Sequence, residues 1–336
     1  MQKKVLIVGP NFYGYNESVE RAFIKLGFST KVLPFLEKDA ENVKEKISFH
    51  LTRKKEHFFH QKKVRFNKLF ISVYDGYKPD ILFIIKGSVF FPESIVYADK
   101  SINILWMMDS IFNNPNSYSL RKLVNHLFLF EKTDVDRLQN EESIKAHFLP
   151  LALDETVYYP INNSKKEIDI LFVGALYKNR IQLLNRLIKH FPDKKIKIYG
   201  HFFSPLRNPL KFLFRKNKHI YTNKNVEPDQ LNILYSQSKI CLNIHHTQSV
   251  LGVNQRFFEI LGSKSLEITD YKEFVANNFT QDDLLWYKNE DEMIQQIDKA
   301  LYNYQQMESI KASGYKKVVE GHTFLDRIRY VLDVIK

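Results

Sequence analysis

The sequence predicts an α/β protein of two Rossmann-like domains, and three observations carry that prediction. Two separate runs, KVLIVG at 4–9 and DILFVG at 169–174, each read as a buried strand that ends in a glycine turn and leads into a helical pattern. The length of 336 residues suits two domains, each able to bury its own core. Strand and helix patterns also alternate to the end of the chain, with no short repeat or heptad run, as expected of parallel sheets covered by helices.

In the first half, the strand at 4–9 is followed by Val19, Ala22, Phe23 and Leu26 at helical spacing. Gly27 closes that helix and STKVLPF (29–35) supplies a second strand, completing a βαβ unit. The runs ILFIIKG (81–87) and SINILWMM (101–108) are continuously apolar, the pattern of parallel strands buried on both faces. HLFLF (126–130) and AHFLPLAL (146–153) read as further strands, and YPINNSKK (159–166) as a linker. The second half starts again at 169, with a helix through Ile181, Leu184, Leu187 and Ile188 and a strand at 195–200. A short strand HIYT (219–222), the helix 229–238, the strand KICLNI (239–244), the helix 254–263, the strand SLEITD (265–270) and a helical tail over 291–335 follow. The expected domains are 1–160, 161–320 and a terminal helix over 321–336.

Composition narrows the function. With 44% hydrophobic and 26% charged residues the chain reads as soluble and globular, and no apolar run approaches the roughly 18 residues needed to span a bilayer. Residues 1–10 lack the pattern of a secretory signal, so the expected compartment is the cytoplasm. The single cysteine, Cys241, lies inside an apolar strand and reads as a buried small hydrophobe. The net charge of +12 concentrates in residues 44–68 and 207–218, where lysines and arginines interleave with phenylalanine. A solvated helix face and contact with an anionic membrane surface are both open for these stretches. Nucleic acid is disfavoured, because no RRM, KH or helix-turn-helix signature accompanies the charge. Neither a GxGxxG nor a GxxxxGK[ST] motif is present, which speaks against a nicotinamide enzyme or an NTPase. No His/Cys/Asp spacing suggests a metal site, and no cofactor is expected.

In doubly wound domains ligands bind beyond the carboxyl ends of the strands. That rule singles out the loops at 9–14, 86–88, 109–110, 174–180, 200–201, 245–259 and 270–271, which would converge if the two domains face each other across a cleft. Of these, 244–270 is the most informative. Its helix begins at Asn254, where free N–H groups and the helix dipole favour an anion such as a diphosphate. Arg256 adds a bidentate donor for phosphate oxygens, and Glu259 is suited to accept from vicinal hydroxyls; an Arg256–Glu259 ion pair one turn apart is the competing assignment.

The blocks LFVGALYKNR, SKICLNIHH, GVNQRFFEIL and GHTFLDRIRYVLDVI together resemble the spore-maturation CgeB-like glycosyltransferases, a GT-B family. KPDILFIIKG and INILWMMDS fit the more weakly similar N-terminal domain. The resemblance implies a GT-B fold with a C-terminal helix crossing back to the N-terminal domain, and a nucleotide diphosphate sugar as donor without an obligatory metal. It also implies that Glu259 holds the donor ribose and that Arg256 and Arg180 face the diphosphate. Gly174, Gly200, His245 and Asn254 complete the expected donor site. Asp109, after a strand in the acceptor domain, is the candidate general base, with an N-cap role as its structural counterpart. His322 is expected to cap the terminal helix. The sequence departs from the family pattern at Leu251, where many retaining enzymes carry a second glutamate, and at Lys264, where a glycine is usual. The expected acceptor is a glycan or lipid-linked oligosaccharide of surface polysaccharide synthesis. A non-catalytic nucleotide- or sugar-binding protein is the alternative.

Overall fold

The structure is a computed structural model that describes residues 2–36, 55–200 and 219–336. The stretch 207–218 and the part of 44–68 up to residue 54 lie outside the described residues. Two compact units result, one formed by residues 1–151 and 324–336, the other by 152–323.

The first unit carries six parallel strands in the order β2-β1-β3-β4-β5-β6: β1 Lys4–Pro10, β2 Ser29–Phe35, β3 Ile81–Ile85, β4 Ile102–Met107, β5 His126–Leu129 and β6 His147–Phe148. All five side chains of β3 are buried, as its uninterrupted apolar sequence requires of a strand covered on both faces. Each such side chain contributes roughly 1.5–3 kcal/mol by leaving water. Helix α1 (Tyr15–Lys25) returns the chain from β1 to β2 and buries Val19, Ala22 and Phe23. Helices α2 (Lys55–Tyr77), α3 (Pro92–Tyr97), α4 (Pro115–Ser119) and α5 (Lys132–Glu142) link the remaining strands. A Cβ at Gly9 would stand 2.1 Å from Asn16 Oδ1, so the β1–α1 turn closes tightly only around glycine.

The expected strand 146–153 shrinks to β6, because Pro150 has no N–H to give a ladder. In α2, Lys62 is buried and lies 5.8 Å from the Phe58 ring, while Lys63 donates to Asn116 Oδ1 at 3.1 Å. Burial holds the Lys63 ammonium below its ordinary pKa despite Glu93. These two cations therefore serve the unit's own packing. No helix among the described residues is long and apolar enough to cross a membrane.

The second unit repeats the architecture with the order β12-β11-β10-β7-β8-β9. Its strands are β7 Ile168–Val173, β8 Ile196–Tyr199, β9 Tyr221–Thr222, β10 Ser238–Asn243, β11 Glu267–Asp270 and β12 Leu285–Tyr287. The short strand β12 has only three residues and gives too little pattern to be read in advance. The helices are α6 Lys178–His190, α7 Pro228–Ser236, α8 Gln255–Gly262, α9 Glu273–Asn278, α10 Glu290–Tyr302, α11 Glu308–Gly321 and α12 Phe324–Val334. The expected helical tail is thus three helices, of which α12 packs in the first unit against α1.

The block at 322–327 anchors the chain on either side of the division. Within the second unit the His322 carbonyl accepts from Leu153 N at 2.8 Å, and the His322 ring lies among Phe258, Phe274 and Phe279. Within the first, Arg327 Nε donates to the carbonyls of Pro150 at 3.0 Å and Leu151 at 3.2 Å. Burial lowers the Arg327 guanidinium to about 10. Replacing a buried charged donor strands the carbonyls it satisfied, at roughly 1.5–3 kcal/mol for hydrogen bonds to a charged group. Arg327→Leu should therefore lower stability by about 2–3 kcal/mol, visible as a lower thermal midpoint; a midpoint equal to wild type would remove this anchor role.

Candidate functional site

The strand order of the second unit reverses between the neighbours β7 and β10, the topological switch point where open α/β sheets bind ligands. The carboxyl ends of these two strands carry Gly174 and His245. The Gly174 N–H donates to the Tyr199 carbonyl at 3.0 Å, and Gly200 sits against the same loop with φ 155°. A Cβ on Gly200 would stand 2.0 Å from the Gly174 carbonyl oxygen, so a side chain there would push the β7–α6 loop away. Both glycines thus shape the loop by letting backbone approach backbone.

Arg180 lies in the first turn of α6, whose N-cap Tyr177 makes no side-chain cap. Its guanidinium bridges the switch point. Nη1 donates to the Ala175 carbonyl at 2.9 Å and Nη2 to the Ile244 carbonyl, while the buried Nε has no partner among the described residues. Burial holds this arginine below its ordinary pKa, against the opposing influence of Tyr177, Asp270 and Tyr287. Two of its donors therefore serve the fold.

His245 is 5% exposed. Asp270, at the end of β11, accepts through Oδ1 from both the main-chain N–H and Nδ1 of His245, each at 2.8 Å. Its other oxygen lies 3.3 Å from Lys272 Nζ. Burial alone would raise the Asp270 carboxyl, but the positive charge and hydrogen bonds of His245, aided by Lys272, hold it at about 2. Among the described residues the buried His245 Nε2 has no partner, and the same is true of the Tyr287 hydroxyl on β12. Burial also pushes the Tyr287 phenol well above its ordinary value.

Asn254 caps α8, accepting from Phe257 N at 3.2 Å and so taking up one of the N–H groups that the sequence left free for an anion. Its amide also pairs reciprocally with Asn243, at 2.9 and 3.1 Å. Asn243 in turn donates to Glu267 Oε1 at 2.8 Å, and burial pushes the Glu267 carboxyl well above the ordinary range. Asn254 therefore locks the start of α8 onto the sheet. Arg256 and Glu259 form the ion pair that their spacing allows, Nη1 to Oε2 at 2.7 Å, and Tyr235 of α7 donates to the same oxygen at 3.2 Å. The pair is no surface feature, since the Glu259 side chain is 3% exposed against 21% for Arg256. Burial opposes the Arg256 charge, yet the Glu259 carboxylate holds its pKa well above normal. The structure thus brings Gly174, Gly200, Arg180 and His245 together at the switch point and ties Arg256 and Glu259 to α7.

In the first unit, Asp109 follows β4 and pairs through Oδ2 with Lys86 Nζ at 3.0 Å. In the segment that follows, Asp134 Oδ2 accepts from Ile111 N at 3.2 Å. Lys86 adopts φ 66° and stands 5.5 Å from the Phe12 ring. Lys264 adopts φ 53°, a left-handed conformation that favours glycine. Cys241 is buried, with its thiol pushed up by burial. Among the described residues no group of three His, Cys, Asp or Glu is placed to hold a metal.

Comparison with solved structures supplies the fold. Sucrose-phosphate synthase from Thermosynechococcus elongatus superposes with a TM-score of 0.70 at 9% identity, covering 99% of each chain. The fold is GT-B. A glycosyltransferase from Rickettsia africae matches at TM-score 0.66 and 14% identity over 99% of this chain and 97% of that one. Anabaena HepE, solved in complex with UDP and glucose, matches at TM-score 0.65 and 7% identity over 99% of each chain. Residues 180–333 match the model of a family described as glycosyl transferase-like. No curated protein matches the sequence.

Asp270 and Tyr287 are the site residues that sequence reasoning missed as such. Asp270 was legible as a strand-end position, but its pairing with His245 depends on β10 and β11 being neighbours. With Asp270 held at about 2, below the unfolded value near 3.9, its contribution to stability is complete above pH 4 and is lost as pH falls through 2. Asp270→Asn should therefore be less stable than wild type by about 2 kcal/mol at pH 7, with the gap narrowing between pH 4 and 2 in chemical denaturation. A gap independent of pH would show that the charge of Asp270 does not matter.

Proposed function

We propose that this protein is a glycosyltransferase of the CgeB-like type that takes a sugar from a nucleotide diphosphate donor bound in its second unit. The observation that carries this reading is the convergence of Gly174, Arg180 and His245 at the β7–β10 switch point, with buried polar atoms on Arg180 and His245 left without protein partners. Arg180 Nε–H and the uncapped start of α6 suit the diphosphate. Arg256 and Glu259 suit the nucleoside end, Glu259 accepting from ribose hydroxyls. The family match over 180–333 spans every one of these residues except Gly174, and the fold is shared with a protein solved with UDP and glucose.

The chemistry asked of the chain is modest. Fixed donors stabilise the departing diphosphate, and a base removes the proton of the acceptor hydroxyl. Asp109, oriented by Lys86, is the base in this reading, and no metal is required. The acceptor is a glycan or lipid-linked oligosaccharide of surface polysaccharide synthesis, met in the cytoplasm. The basic, phenylalanine-rich stretches at 44–68 and 207–218 bring the enzyme to the anionic inner face of the membrane. A nucleotide-binding protein without turnover is the second reading, favoured by the ion pairing that already occupies Asp109.

Thermal denaturation against UDP, GDP, dTDP and CMP should single out one nucleotide that raises the melting temperature, since a ligand at a hundred times its Kd adds about 2.7 kcal/mol. Glu259→Gln should weaken that nucleotide while preserving the fold. Glu259→Ala should instead cost roughly 3–5 kcal/mol of stability, because it strands the largely buried Arg256 charge. Transfer from the matching nucleotide sugar, measured in EDTA, separates the two readings: tight binding with no turnover on any acceptor favours the non-catalytic one. For the membrane, co-sedimentation with anionic liposomes should fall when Lys54 and Lys55 are neutralised; binding that is unchanged contradicts that contact.

A further inference from the structure

We infer that His245, held by Asp270, is the residue that reads the sugar of the donor through a hydrogen bond accepted at Nε2. This rests on the donor-site reading given above and specifies which part of the ligand one residue meets. The Asp270 carboxylate, ionised down to about pH 2, can only accept hydrogen bonds. It takes two from His245, one from the main-chain N–H and one from Nδ1, both at 2.8 Å. Facing a carboxylate, Nδ1 carries a ring proton, and in the neutral form of the imidazole the lone pair is then on Nε2. That atom is buried and unpartnered in a side chain with 0% exposure.

An imidazole lone pair needs a donor, and a diphosphate ionised at neutral pH has none to offer. The hydroxyl groups of a nucleotide sugar do. Arg180 has the opposite need. Its unpartnered Nε–H is a donor, and it is tied through Nη2 to the carbonyl of Ile244, the residue before His245. One position thus suits a phosphate oxygen and its neighbour a hydroxyl, the order in which these groups follow one another across the glycosidic phosphate. The ribose hydroxyls are left to Glu259, on a separate part of the unit next to Tyr235. Asp270 acts only through His245 and is a positioning residue.

His245→Asn tests the assignment, because its amide Nδ2 can replace Nδ1–H against Asp270 while nothing replaces Nε2. The nucleoside diphosphate that stabilises the wild type, and its glucose, galactose and N-acetylglucosamine conjugates, are titrated calorimetrically. The expected result is a loss of at least tenfold in affinity for the preferred nucleotide sugar, with affinity for the bare nucleotide within twofold of wild type. His245→Gln, whose amide oxygen reaches the place of Nε2, should restore most of the loss. Equal losses for nucleotide and nucleotide sugar, or no loss for either, overturn the assignment and leave the donor site standing. A wild type that binds none of the four nucleotides overturns the donor site first, and the sugar assignment falls with it. A thermal midpoint of His245→Asn close to wild type separates lost contact from lost fold.

Discussion

The guanidinium of Arg180 is the constraint on which the switch-point end of the second unit depends. It joins a loop that leaves β7 to the carbonyl that ends β10, two strands adjacent in the sheet but separated by some seventy residues of chain. A buried arginine without a carboxylate partner is costly, and its lowered pKa expresses that cost. Main-chain carbonyls compensate, and they are available only at strand ends, where the ladder runs out. The cation therefore sits at the switch point because that is where unsatisfied acceptors collect.

The other polar groups of this end follow from the same shortage of partners. Asp270 ends β11 and binds the main chain and ring of His245, which begins the loop after β10. Asn243 and Asn254 tie the start of α8 to β10 and hand one hydrogen bond on to Glu267. Each pair closes one loop at this edge of the sheet onto its neighbour, and among the described residues Arg180 Nε, His245 Nε2 and the Tyr287 hydroxyl are left without a partner. Preorganised groups of this kind need little reordering when a polar ligand arrives.

The first unit shows the same logic in weaker form. Lys86 and Asp109 pair between the ends of β3 and β4, one strand along from that unit's switch point at β1 and β3, with Lys86 in a left-handed backbone conformation. The pairing orients Asp109 and also occupies one of its oxygens.

Much of the fold was legible because its signals are local. Uninterrupted apolar runs such as ILFII can only be strands covered on both faces, and a glycine followed by helical spacing marks each β–α turn. The start of a helix at Asn254 was legible for the same reason, and the three-residue spacing of Arg256 and Glu259 allowed the ion pair that they form. Strand order was not legible: the sheets run β2-β1-β3 in one unit and β10-β7-β8 in the other, and no local pattern distinguishes them. That order alone decides that Asp270 stands beside His245 and Arg180 beside Ile244, since these contacts join residues far apart in the chain. The sequence by itself determined two α/β units and the residue types at their strand ends; the tertiary structure decided which of those residues satisfy one another and which polar atoms remain for a ligand, because burial and partnership are properties of neighbours in space.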